Sequence, residues 1–204
     1  NLWFLIGCGE YWRATGDDAF LERLIPIVEE VRFLLGAWEF NNRGLLYIPL
    51  TGDWADEYLH NGYVLYDQLL YLQALRTLAS IHNALHGSDD HVLAEKISRL
   101  RHLIRANYWF DEERNLDDVY HQVLYQKGLQ ASPHSRDLYW MASFAPSGYS
   151  YRFDALANVL ASLFDVADDA QRKRVDAYIR EEVTNENFAL LPAFHPVIKP
   201  IDED

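Results

Sequence analysis

The sequence predicts an all-α fold built from helical hairpins. Apolar residues recur at spacings of three and four along six segments, which is the spacing of one buried helical face. No segment alternates apolar and polar residues convincingly enough to predict a strand. Three connections between helices are short and carry two consecutive aspartates, so the six helices are expected to pair as three hairpins.

The six predicted helices differ in how much of their surface is apolar. The first, over 2–13, is apolar from its start, and the second carries a single apolar stripe over 21–35. The third, over 64–85, is apolar on more than one face and is expected to be buried on most sides. The other three are amphipathic and are predicted at 92–108, 153–164 and 170–183.

The double aspartates stand where the second helix of each hairpin begins. They are Asp17-Asp18, Asp89-Asp90 and Asp168-Asp169. A side-chain oxygen at this position accepts hydrogen bonds from free backbone N–H groups, and its charge favours the positive end of the helix. We therefore interpret these aspartates as helix caps.

Composition excludes several classes of protein. The chain has 204 residues, a net charge of −13 and 50% hydrophobic residues, which is typical of a folded globular protein that does not bind nucleic acid. No apolar run approaches the roughly 20 residues that span a bilayer, so no membrane contact and a cytoplasmic location are expected. Neither a metal site nor a cofactor is predicted, because His82, His86 and His91 fit a solvated helix end and no phosphate-binding glycine loop occurs.

Three long connections are expected to carry the function. They span about 25 residues over 39–63, about 40 residues over 108–151, and a tail from residue 184. Connections of that length in a compact domain are usually functional or disordered, and these are too aromatic to be disordered. Since the tight turns lie at one end of the hairpins, the long connections are expected to form a binding face at the other end.

The first long connection combines carboxylates with aromatic rings. Asp53, Trp54 and Asp56 lie in it, Tyr63 follows, and Asp67 opens the next helix. Aromatic rings stack on the C–H face of a sugar, and carboxylates hydrogen-bond sugar hydroxyls. A carboxyl group that keeps its proton can also donate it to a glycosidic oxygen. This pattern indicates a sugar-binding site.

The second long connection offers further candidates. Trp140 and Tyr149 could act as stacking platforms, and Arg152 could bind a hydroxyl or a carboxylate. The alternative is that these rings only pack against the end of the helices. The sequence does not separate the two interpretations.

Several of these motifs are similar to those of a known family. Asp53-Trp54-Ala55-Asp56, Asp67 at the start of an apolar helix, and the stretch over 151–161 that begins Tyr151-Arg152-Phe153-Asp154 carry the similarity. The chain resembles the six-hairpin (α/α)6-barrel glycosidases, especially the amylo-α-1,6-glucosidase or glycogen-debranching-like group, which is related to neutral invertases and processing α-glucosidases.

The resemblance implies a toroid of helical hairpins and a catalytic role for Asp56. Asp56 would be the general acid of an inverting hydrolase, with Asp53 as the second choice, and Asp53, Trp54 and Asp67 would bind substrate. The family's aromatic, glycine-rich element with the second carboxylate is not found. Because an (α/α)6 barrel needs twelve helices, residues 1–204 are expected to form a partial catalytic domain of a longer chain, an incomplete barrel that lacks the base.

Three functions are consistent with this reading. The first is an inverting glycoside hydrolase that acts on α-linked gluco-oligosaccharides and needs no cofactor. The second is a sucrose hydrolase similar to neutral invertases. The third is a carbohydrate-binding helical-repeat protein without catalysis, which would lack a second carboxylate within about 10 Å of Asp56.

Overall fold

A computed structural model describes residues 1–39, 43–55, 58, 60–131, 138–184 and 190–199. In this part of the chain, the helices are α1 (Leu2–Thr15), α2 (Asp18–Trp38), α3 (Leu65–His86), α4 (His91–Tyr108), α5 (Gln122–Ala131), α6 (Ala155–Leu163) and α7 (Asp169–Tyr178). The strands are β1 (Tyr63–Val64), β2 (Met141–Ala145), β3 (Gly148–Asp154) and β4 (Phe194–His195). None of the helices described is long and apolar enough to cross a membrane.

The prediction of an all-α fold is wrong, and an (α/α) barrel is not shown. The four strands form one curled antiparallel sheet in the order β1-β2-β3-β4. The first three residues of β2 are fully or almost fully buried, so this strand lacks the alternation that identifies a strand in a sequence. The two-residue strands β1 and β4 are too short to show any period.

The sheet joins the three long connections. β1 ends the first connection, β2 and β3 come from the second, and β4 comes from the last. The pairs Tyr63↔Phe144 and Phe153↔His195 fix the register between them. The expectation that the long connections meet is therefore confirmed, but they meet by strand pairing and not as loops.

Most of the predicted helices are found within a few residues of their expected ends. The exceptions are α5, which was not predicted, and residues 153–154, which belong to β3 and not to a helix. One aspartate of each predicted pair is confirmed as a cap: Asp17, Asp90 and Asp168 each accept a hydrogen bond from the backbone N–H three residues later. These caps hold the starts of α2, α4 and α7. The prediction is wrong for the other member of each pair, since Asp18, Asp89 and Asp169 accept hydrogen bonds from side chains instead.

Helix α3 is the centre of the core. Thirteen of its residues are buried, as its apolar composition predicted, and it packs against α1, α4 and α6. Three arginines from α3 and α4 fix the turn after α6: Arg76 donates to the carbonyl of Phe164 at 2.6 Å, Arg101 to that of Asp165 at 2.9 Å, and Arg105 to that of Val166. Each of these charged hydrogen bonds ties α6 to the core.

Two contacts close the loop over residues 49–61, which we call the site loop. The backbones of Ile48 and Gly62 exchange two hydrogen bonds, of 2.7 and 2.9 Å, across its base. The buried side chain of Gln68 on α3 binds both backbone groups of Leu46, at 2.9 and 2.8 Å. The loop is thereby held against the start of α3.

Gly62 is the position in this arrangement that is most sensitive to substitution. Its φ is +86°, and a Cβ atom there would lie 2.6 Å from the carbonyl oxygen of Phe144 on β2. We expect Gly62→Ala to lower the free energy of unfolding by about 2 kcal/mol or more, because the backbone conformation alone costs an L-residue about 1–2 kcal/mol. Urea denaturation measures this change.

The matched control is Gly7→Ala in α1, where a Cβ meets no atom within 4 Å. Alanine at Gly7 is expected to raise stability by roughly 0.5–1 kcal/mol, since glycine weakens a helix interior. Equal effects of the two substitutions would show that the approach of the site loop to β2 is not tight.

Candidate functional site

The site loop and the starts of α1 and α3 enclose a cavity that we call the aromatic cavity. Its volume is about 400 Å3. Asp53 and Trp54 of the site loop line it together with Tyr66 and Asp67 of α3 and Trp3 of α1. A cavity of this size, largely apolar with a few polar groups, is typical of a site for a small ligand.

Aromatic rings build one side of this cavity. The ring of Trp54 lies parallel to that of Phe194 on β4, with centroids 6.1 Å apart, and 6.0 Å from the ring of Tyr66. Trp3 donates a hydrogen bond of 2.7 Å from its indole nitrogen to the hydroxyl of Tyr66. Because Trp54 is 41% exposed, its ring is available to a ligand.

Three buried aspartates lie near one another beside the cavity. Together with His60, they form a group that we call the acid cluster. The aspartates are Asp53, Asp67 and Asp154, none more than 8% exposed. Each has one carboxylate oxygen, Oδ2, that is buried without a hydrogen-bond partner. Unsatisfied oxygens on three neighbouring carboxyl groups are costly, and unsatisfied buried groups of this kind are typical of functional sites.

Local structure places each carboxyl group. Asp67 lies in the first turn of α3, and Asp154 ends β3 and caps α6 through a 2.9 Å hydrogen bond from the Ala157 N–H. Asp53 accepts a hydrogen bond from the backbone N–H of Trp54. The sheet brings the starts of α3 and α6 together, since β1 precedes one helix and β3 precedes the other.

Burial controls the charge of the cluster. Loss of solvent, together with the nearby charges of Asp53 and Asp154, raises the pKa of Asp67 to about 8, against a hydrogen bond from its own backbone N–H. Burial likewise raises the pKa of Asp154 to about 6, although the cap hydrogen bond from Ala157 lowers it. At neutral pH, Asp67 therefore keeps its proton.

His60 completes the cluster. Its Nδ1 lies 3.6 Å from Oδ2 of Asp53, which is longer than a hydrogen bond, and the imidazole is 4% exposed. The ring packs against the edge of Phe194, with centroids 4.9 Å apart. Neither ring nitrogen has a hydrogen-bond partner, so the imidazole of His60 can form hydrogen bonds with a bound group.

A second cavity, which we call the polar cavity, lies on the sheet. Its volume is about 530 Å3. His60 and Asn61 of the site loop, Ser143 of β2, and Ser150 and Arg152 of β3 contribute to its wall. Arg152 donates a hydrogen bond of 3.0 Å to the carbonyl of Pro196.

The structure separates the residues predicted to bind substrate. The aromatic cavity is lined by Asp53, Trp54 and Asp67. The polar cavity is lined by Arg152 and Tyr149. The ring of Tyr149 also packs on Phe110, with centroids 4.8 Å apart. Two other residues that were predicted to bind substrate lie in the core. Trp140 is fully buried beside Trp109. Tyr63 is buried and shares a 2.5 Å hydrogen bond with Tyr120. Asp56, the predicted general acid, lies outside the described residues.

Sequence reasoning missed the roles of His60 and Asp154. The place of Asp154 before an apolar helix favours a cap over a catalytic base, and it is a cap, but the cap uses Oδ1 and leaves Oδ2 without a partner. His60 carries no motif, and its only signal is its place in the same loop as Asp53 and Trp54. In the part of the chain that the structure describes, no group of three or more histidine, cysteine, aspartate and glutamate side chains is close enough to hold a metal ion.

The pKa of Asp67 predicts a pH-dependent stability. An aspartate in the unfolded chain ionises near its ordinary value of 3.8, whereas folded Asp67 keeps its proton up to about pH 8. The folded state therefore binds more protons in this interval, and the free energy of unfolding falls as the pH rises from about 4 to 8. Asp67→Asn removes this contribution. Between pH 5 and 8, the free energy of unfolding is therefore expected to fall less in the variant than in the wild type, and the difference between the two decreases is at least about 1 kcal/mol.

Urea denaturation at the two pH values measures the difference, and Asp168→Asn is the control. The pKa of Asp168 is lowered, because its carboxylate accepts a hydrogen bond from the backbone N–H of Gln171, so it is ionised in both states above pH 5. That control is expected to keep the pH dependence of the wild type. If Asp67→Asn also kept it, Asp67 would be ionised at neutral pH.

Comparison of the sequence with protein-family models and with curated proteins finds no match. The resemblance carried by the short motifs is therefore not supported by a match over the whole chain. A function for this protein has to be argued from the acid cluster and the two cavities.

Proposed function

We propose that this chain is part of an inverting glycoside hydrolase that acts on α-linked gluco-oligosaccharides. The observation that carries the proposal is that two buried carboxyl groups, Asp53 and Asp67, line a cavity walled by Trp54 and Tyr66, with the carboxyl group of Asp154 near enough to raise the pKa of Asp67. Aromatic rings bind the C–H face of a sugar, and a carboxyl group that keeps its proton can protonate the leaving oxygen. Both requirements are met at one place.

Among the described residues, Asp67 best suits the general acid. It lines the aromatic cavity, and burial raises its pKa to about 8, so that it carries the proton that the leaving group needs at neutral pH. The resemblance gives this role to Asp56 instead. The two assignments are separable by experiment, because each residue can be replaced by asparagine without a change in volume.

The general base is proposed to lie outside residues 1–204. An inverting enzyme needs a second carboxylate that activates a water molecule roughly 6.5–9.5 Å from the acid. The side chain of Asp53 is fully buried against His60 and the backbone of Trp54, and Asp154 is 0% exposed. Because both carboxyl groups are buried, we propose that they set the charge of Asp67 and do not activate the water molecule.

A neutral, hydroxyl-rich substrate fits the charge of the site. Two aspartates accompany Asp67 in the cluster, and the whole chain has a net charge of −13. This field repels phosphorylated and other anionic ligands. An uncharged glucoside avoids the repulsion and still offers the hydroxyl groups that carboxylates bind.

The test is to measure hydrolysis of isomaltose, maltooligosaccharides and sucrose by the full-length protein. Asp67→Asn is expected to lower kcat on the preferred sugar at least about 100-fold, since general acid catalysis contributes roughly that factor or more. The loss should be much smaller on a 4-nitrophenyl glucoside, whose leaving group needs no proton. Asp56→Asn is measured in the same way, and Asp168→Asn, a cap in a remote turn, is the control.

The outcomes discriminate between the candidates. A selective loss with Asp56→Asn and not with Asp67→Asn would move the acid role to Asp56. Preference for sucrose would identify an invertase-like enzyme, and binding of a sugar without hydrolysis of any would identify a carbohydrate-binding protein. Near-normal kcat of both asparagine variants would contradict catalysis at this site.

A further inference from the structure

Leucine and isoleucine side chains line the aromatic cavity in addition to its rings. We call these residues the aliphatic wall, and they are Leu2, Leu34, Leu35, Leu46, Ile48 and Leu70. They come from α1, α2, the segment that precedes the site loop, and α3. Sugar binding at Trp54 and Tyr66 gives no role to this wall.

An aliphatic wall suits a ligand group that carries no hydroxyls. A sugar ring placed against it would lose the water bound to its hydroxyl groups without gaining hydrogen bonds in return, which costs free energy. An alkyl chain or an aryl ring pays no such cost, and its binding becomes more favourable with each CH2 group that leaves water. The aliphatic wall therefore favours an apolar group over a second sugar.

The aliphatic wall begins beside the proposed acid. Asp67 and Leu70 are three residues apart on α3, so they are neighbours on one face of the helix, and both line the cavity. The acid of a glycosidase donates its proton to the oxygen of the leaving group. A leaving group that takes the proton of Asp67 therefore lies within reach of the aliphatic wall.

Backbone and side-chain hydrogen bonds hold the wall in place. Leu46 and Ile48 are buried, and the N–H of Tyr47 between them donates a hydrogen bond of 2.9 Å to the carbonyl of Trp38 at the end of α2. The side chain of Gln68 on α3 holds the backbone of Leu46 from the other direction. An apolar surface that is fixed before the ligand arrives loses little entropy on binding.

Leu34 and Trp38 form the open edge of the cavity on α2. They are four residues apart on the helix, both line the cavity, and each is 45% exposed. Large exposed apolar side chains at the mouth of a cavity are typical of a binding site. Phe33, next to Leu34, is 77% exposed and lies outside the cavity wall, so it provides a matched control.

We propose that the aliphatic wall binds an apolar aglycone, so that the protein hydrolyses α-glucosides of alkyl and aryl alcohols in addition to gluco-oligosaccharides. This inference rests on the proposed function for the cleavage step. In that step Asp67 gives its proton to the glycosidic oxygen, the bond from this oxygen to C1 of the sugar breaks, and the aglycone leaves as the alcohol. Water supplies a hydroxyl group to C1, and its other proton goes to the carboxylate base.

The experiment measures the binding of methyl and hexyl 1-thio-α-glucoside to the full-length protein by calorimetry. Their sulfur atom accepts a proton poorly, so both probes are expected to stay intact. The hexyl probe is expected to bind at least about 10-fold more tightly than the methyl probe, the effect of about two buried CH2 groups. Leu34→Gln, which puts an amide at the wall but favours a helix, is expected to reduce this ratio to below about threefold. Leu34→Met, which keeps the size and apolar character of the side chain, is expected to preserve it.

The control is Phe33→Gln, which is expected to leave the ratio of the two dissociation constants unchanged. If Phe33→Gln lowered the ratio as much as Leu34→Gln does, the hexyl chain would be adsorbing to exposed apolar surface, and the proposal would be overturned. Equal affinity for the two probes, or binding of neither, would overturn it as well.

Turnover separates this proposal from the proposed function. If the protein hydrolyses maltooligosaccharides but binds the two probes equally, the hydrolase stands and the aglycone site fails. If it hydrolyses no glucoside but binds the hexyl probe more tightly in a way that depends on Leu34, the hydrolase fails and the wall stands as a site for an apolar group. A kcat/KM that is higher for hexyl α-glucoside than for methyl α-glucoside, and that loses this advantage in Leu34→Gln, supports both.

Discussion

Three aspartates lie in one buried place, where burial opposes negative charge. Removing a carboxylate from water is costly, and each further charge nearby raises the cost. Burial and the nearby charges of Asp53 and Asp154 raise the pKa of Asp67 to about 8, above that of Asp154 at about 6, so Asp67 holds its proton more strongly. The proton donor of the proposed mechanism is therefore a consequence of how the chain folds.

The sheet is what brings the cluster together. It joins segments that are more than 100 residues apart, and it orders the starts of α3 and α6 side by side. The hydrogen bonds between Ile48 and Gly62, and those of the Gln68 side chain with the backbone of Leu46, then hold the two ends of the site loop beside the start of α3. A small antiparallel sheet thereby does in this chain what helical packing alone was expected to do.

The helices could be predicted from the sequence because each carries its own period and several carry their own caps. The sheet could not, since its pairings are non-local: β1 and β4 are two residues long, and β2 is buried on both faces. Only the Pro146-Ser147-Gly148 turn and the alternation in β3 gave a local signal.

The candidate site was predicted in part. Asp53, Trp54 and Asp67 were recognised together because they are close in sequence, whereas Asp154 reaches them only through the sheet. Aromatic content alone did not distinguish Trp140, a core residue, from Trp54, a cavity residue.

The most direct test is to titrate the carboxyl carbon of Asp67 by NMR in protein labelled with 13C-aspartate, with Asp67→Asn used to assign the signal. The account predicts a midpoint near pH 8, with the signal of the protonated carboxyl group present at neutral pH. A midpoint near 4, the ordinary value for an exposed aspartate, would contradict it. In that case Asp67 would be ionised at neutral pH and could not be the proton donor.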